Sequence, residues 1–132
     1  MKPSSFGLFV LAIAASTLAC NLVDPDQSTI LPVTKLDAPA TVSATAPFSV
    51  TLTIRTGGCT SFDRIDVQRM DRGVRIVPWG SDATIGHKNV SCPTYIVENP
   101  HTVQLDPPFP NPFYISVEQG RMPPVTATVQ VQ

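Results

Sequence analysis

The sequence predicts an all-β protein, an antiparallel β-sandwich of about seven to nine short strands that follows a cleaved export signal. Three observations carry this expectation. Apolar and polar residues alternate with period two in three separate segments. Fourteen prolines interrupt the chain too often for long helices. The longest apolar run lies at the extreme N-terminus behind a single lysine. At 132 residues the chain is one domain's worth.

Residues 1–19 read as the signal. Lys2 precedes the apolar run Phe6–Ala15, and small residues follow at Ser16 and Ala19. This is the three-part layout of a secretory signal peptide. A membrane-spanning helix needs about 20 apolar residues, roughly twice what this run offers. Residues 20–29 are polar, carry Pro25 and show no period, so they read as a tether ahead of a domain at 30–132.

The clearest strand is Phe48–Arg55. Phe48, Val50, Leu52 and Ile54 fall on one face, and Ser49, Thr51, Thr53 and Arg55 on the other. Its β-branched content agrees. Phe113, Ile115 and Val117 alternate in the same way, as do Val125, Ala127, Val129 and Val131. Weaker strands are expected at Ile30–Leu36, Pro39–Ala44, Phe62–Met70, Val74–Trp79, Thr94–Glu98 and His101–Leu105. Turn signals separate them. They are Gly57-Gly58, Asp71-Arg72-Gly73, Gly80-Ser81-Asp82, Gly86–Asn89, Asn99-Pro100 and the run Pro107–Pro112. Trp79, between Pro78 and Gly80, reads as a turn or loop position.

Segment Thr17-Leu18-Ala19-Cys20 resembles the lipobox of bacterial lipoproteins. Ala19 and Cys20 fit the motif; Thr17 and Leu18 depart from it. The resemblance implies cleavage before Cys20, a diacylglycerol on its sulfur, and residence in the cell envelope. Asn21 after the cysteine points to an outer membrane. Ordinary signal-peptidase cleavage after Ala19 is the alternative and would leave a secreted or periplasmic protein. The chain has three cysteines, Cys20, Cys59 and Cys92. Lipidation of Cys20 would leave one pair, Cys59 and Cys92, for a disulfide. An intermolecular bridge through Cys20 is the other way to resolve the odd number.

Residues 38–132 resemble an immunoglobulin-like domain of bacterial envelope proteins. The resemblance rests on Pro47-Phe48-Ser49-Val50-Thr51-Leu52-Thr53-Ile54 and on Asn111–Val117, where Tyr114 would occupy the family's corner position. Pro112 replaces the usual glycine, and no core tryptophan follows the antibody pattern.

Without Lys2, eight Lys and Arg face ten Asp and Glu, a net charge near −2. That balance offers no footprint for nucleic acid. The arginines at 64, 69, 72 and 75 interleave with Asp63, Asp66 and Asp71, as on a mixed solvated face. A zinc site of Cys59, His87, Cys92 and His101 would lack the closely spaced pairs that structural zinc requires, so neither metal nor cofactor is expected. No G-x-S-x-G elbow or S-x-x-K is present, and no catalytic residue is assigned. The segment Val77–Gly80 is similar to a contact loop of chagasin-type protease inhibitors, whose other loop motifs the chain lacks. Trp79 and Phe109, aromatic rings held beside rigid prolines, read first as caps on the ends of the sandwich core; as the alternative they join His87 and Lys88 as candidate partner contacts. The expectation is a non-enzymatic envelope lipoprotein. Its partners would be the membrane, through Cys20, and an envelope protein or glycan. The alternative is a small secreted hydrolase or protease inhibitor on the same scaffold.

Overall fold

The computed structural model describes residues 27–132. The signal segment 1–19, Cys20 and most of the expected tether lie outside the described residues. Nine strands follow one another: β1 (Ser28–Ile30), β2 (Val33–Asp37), β3 (Thr41–Val42), β4 (Phe48–Gly57), β5 (Thr60–Met70), β6 (Gly73–Asp82), β7 (Ile96–Leu105), β8 (Phe113–Gln119) and β9 (Met122–Val131). Six build one sheet in the order β1-β6-β8-β9-β3, with β5 on the other flank of β6; β2-β4-β7 build the second.

The two sheets pack face to face through the alternation expected from sequence. Val50, Leu52 and Ile54 of β4 meet Val74 and Ile76 of β6, Ile115 and Val117 of β8, and Val129 of β9 in one continuous core. Each such side chain contributes about 1.5–3 kcal/mol relative to exposure. The expected β-sandwich is therefore present. Two of its pairings are parallel, β3 with β9 and β6 with β8, where an antiparallel arrangement was expected throughout.

Four local expectations are corrected. The strand expected at Ile30–Leu36 is two strands in different sheets, because the chain crosses the sandwich at Leu31-Pro32. Buried Leu31 bridges the layers, and Gln119 Oε1 accepts the Val33 N–H at 3.0 Å. The sheet also begins at Ser28, inside the segment read as tether. Gly80-Ser81-Asp82 is not a turn but the end of β6, paired with both β1 and β5. Finally, Asn99-Pro100 does not break the chain: β7 runs straight through it.

Backbone direction explains why Pro100 is tolerated. The Arg55 N–H donates to Pro32 O at 2.9 Å, and Thr53 O accepts from Thr34 Oγ1 at 3.4 Å. Odd-numbered residues of β4 here therefore point their polar backbone toward β2, away from β7. Pro100 stands opposite Thr53, so its nitrogen faces the outer flank of β7, where no strand pairs. The missing N–H costs no ladder bond and removes a donor from an exposed edge. We expect Pro100→Thr to leave the melting temperature nearly unchanged while increasing self-association in a concentration series by light scattering. A large drop in melting temperature would show that the ring has a packing role instead.

Candidate functional site

The sandwich has two distinct poles. At the first, Cys59 occupies the Gly58-Cys59 turn between β4 and β5, and Cys92 lies in the connection from β6 to β7. They are bonded, with Cα atoms 5.3 Å apart, inside the range of an ordinary disulfide. The bridge joins the end of β4 to the β6–β7 loop. Gly58 is required there by close approach, since any Cβ would collide with the Pro93 backbone. The loop is further fixed by the Ala83 N–H donating to Cys59 O at 2.9 Å, and by Thr84 N–H and hydroxyl donating to Asp82 Oδ1 at 2.9 and 2.6 Å. Bonded to each other, Cys59 and Cys92 have no thiolate to offer a metal.

His87 and Lys88 are exposed on this loop. The Gln27 side-chain amide lies 3.1 Å from His87 Nε2, so the N-terminal end of the described chain meets the disulfide-bound loop. His101 is elsewhere. It sits opposite Leu52 with its ring 4.0 Å from that of Phe62, centroid to centroid. Among the described residues neither histidine hydrogen-bonds a serine or a carboxylate.

Trp79 is in β6, not in a loop. Pro78 and Gly80 face the core, which turns Trp79 outward, where it is half-buried. The Arg64 guanidinium lies 5.5 Å from the indole centroid and also pairs with Asp66 at 3.2 Å. One face of the ring is thus covered by a cation, an arrangement worth about 0.5–1 kcal/mol at an exposed site.

Phe109 follows the core-capping reading and not the contact reading. It is 6% exposed, with its ring 4.8 Å from Phe48 and 5.0 Å from Phe113. Arg69 places its guanidinium 5.7 Å from the Phe109 centroid and donates to the carbonyls of Pro108 and Asp106. The proline-rich connection is held down on the core rather than projected, so Phe109 offers no contact surface. Beside it lies the second pole, formed by the Asp71-Arg72 turn between β5 and β6. Two adjoining hollows of about 290 and 460 Å³ share Met70 and Asp71 there, one lined also by Tyr114 and the other by Pro108 and Pro110. Tyr114 is 46% exposed on the outer face, not turned into a corner.

Sequence reading thus placed His87 and Lys88 correctly on a loop and did not single out the exposed apolar side chains further along the same connection. Tyr95 and Ile96 are 55% and 69% exposed beside the disulfide. Their only sequence signal was an apolar pair just after Pro93. No family model, curated protein or solved structure matches the chain.

Three outcomes follow. Replacing Cys59 and Cys92 by Ser should lower stability by about 2–5 kcal/mol in denaturant titration, the usual cost of losing a disulfide in a small domain. Trp79→Ala should cost about 1–2 kcal/mol, below the ~3–5 kcal/mol of a core aromatic. Arg64→Ala should raise iodide quenching of the single tryptophan; unchanged quenching would show that Arg64 does not shield the ring.

Proposed function

We propose that the protein is a non-enzymatic, lipid-anchored component of a bacterial cell envelope, a structural or binding module held at the outer membrane through Cys20. The observation that carries this reading is the Cys59–Cys92 bond. Stable disulfides belong to oxidising compartments outside the cytosol. The bond also accounts for two of three cysteines, leaving Cys20 in the one position where a lipobox-like segment supplies a use for it. The environments of His87 and His101 support the non-enzymatic side. One ring meets an amide and the other stacks on Phe62, so neither is presented as a general base to a nucleophile. The packed, single-core sandwich supports a scaffold role, with exposed loops and poles as the surfaces through which it would meet an envelope protein or glycan.

The test is the intact mass of the protein recovered from the membrane fraction of its native host or a close surrogate. A chain beginning at Cys20 with added diacylglycerol and acyl mass is expected. An unacylated chain beginning at residue 20 in the soluble fraction would overturn the anchoring and leave a secreted or periplasmic domain.

A further inference from the structure

We infer that the disulfide pole rests on the lipid surface, with Tyr95, Ile96 and Met122 reaching into the headgroup region. The inference depends on the proposed anchor at Cys20, and three independent observations lead from that anchor to this pole.

The first is reach. Seven peptide steps separate Cys20 from Gln27, a span of at most about 25 Å. Gln27 lies against His87, and Ser28 pairs with Ser81 at the end of β6. The chain therefore enters the domain at the disulfide pole. The opposite pole lies a full strand away, at the Gly73 end of β6, about 30 Å further on. A lipid on Cys20 would hold the disulfide pole close to the bilayer and turn the hairpin pole from it.

The second is where apolar surface is left uncovered. Val90, Tyr95, Ile96 and Val97 are all exposed within one stretch next to Cys92, and Ile96 is the most exposed large apolar side chain among the described residues at 69%. Met122, 47% exposed, is the first residue of β9, just after the turn whose Gly120 lies against Ile30 of β1, the strand by which the chain enters this end of the sandwich. Val90 and Tyr95 lie in the β6–β7 connection, Ile96 and Val97 in β7 of one sheet, and Met122 in β9 of the other. A peptide strand pairing with the edge of β7 would cover the first group and leave Met122 bare; a flat apolar medium covers both.

The third is composition. Lys88 and Arg121 flank the apolar residues in the chain, and of the acidic groups beside them Asp82 at the end of β6 accepts from Thr84 and Glu98 is paired with Arg55 at 2.7 Å. Tyrosine and long cations around exposed aliphatic side chains are the chemistry of an interfacial contact. The disulfide holds the segment that carries Tyr95 and Ile96 in place before contact, so little of its conformational freedom is lost on insertion.

The molecule contains its own controls. Tyr114 and Met70 at the hairpin pole are 46% and 54% exposed, close to Tyr95 at 55% and Met122 at 47%. Full chain in isolated membranes is exposed to hydroxyl radicals from water radiolysis, and oxidation is mapped by peptide mass spectrometry. We expect Tyr95 and Met122 to be modified several-fold less than Tyr114 and Met70. Equal modification at both poles on a chain whose mass confirms acylation would overturn the inference and leave the anchor intact. Protection of Tyr95 with full oxidation of Met122 would also overturn it, showing that protein, including a second copy at β7, covers the edge. A chain without acyl mass would remove the anchor and the inference together.

Discussion

Strand β6 must serve three neighbours at once, and most of the sandwich follows from how it does so. On one flank it pairs with β5 along its whole length; on the other it pairs with β8 over Gly73–Ile76 and with β1 over Trp79–Ser81. Pro78 lies at the change of partner. Its carbonyl accepts the Leu31 N–H at 2.9 Å, so its nitrogen faces that same flank, at the gap between the last β8 pair and the first β1 pair. A proline in a central strand ordinarily removes a ladder bond; here no donor is required at that point. The glycines at either end serve the same crossing. A Cβ on Gly73 would strike the Tyr114 backbone, and one on Gly80 would strike Ser61 O and Leu31.

The unequal sheets create a second constraint. Three strands do not cover six, and the chain makes up part of the difference with its proline-rich connection. Phe109 enters the core from that connection beside Phe48 and Phe113, and Arg69 binds the backbone above it. The edges are managed too. Pro100 withholds a donor from the free flank of β7, and on β5 the slip between Phe62 and Arg64 lets Phe62 and Ile65 both reach the core while Arg64 turns outward over Trp79.

These features decide how much of the fold was legible. Period-two alternation identified β4, β8 and β9 because each has one face in the core, and burial follows that face. It failed where proline or glycine had a role other than turning the chain. Pro78 and Gly80 made Trp79 look like a loop residue, since nothing in the sequence reveals that β6 changes partner there. Asn99-Pro100 looked like a break because edge status belongs to the assembled sheet. Ile30–Leu36 looked continuous because both halves are apolar, although they belong to opposite layers. Of the candidate contacts, His87 and Lys88 were legible from polar loop composition. Phe109 carried two readings, because prolines that rigidify an exposed ring and prolines that press a ring into a core look the same in one dimension; the core reading holds.

The position of the disulfide bears on how the N-terminal segment joins the domain. A bridge through the middle of the sandwich would stiffen a region already fixed by Val50, Leu52, Ile76 and Val117, all essentially inaccessible to solvent. Instead it joins the β4–β5 turn to a connection that has no strand structure between Asp82 and Ile96. That connection would otherwise be the loosest part of the chain, since loop closure alone supplies little order. It is also the part met by Gln27, the first described residue. Any load carried through the N-terminal segment enters the domain through β1, a strand of only three residues. Three residues of pairing resist little by themselves, but β1 pairs with the stretch of β6 that continues directly into the bridged loop, and β5 pairs with that stretch from the other side. The covalent bond thus reinforces the end of the sandwich that the N-terminal segment enters and where the loop is longest.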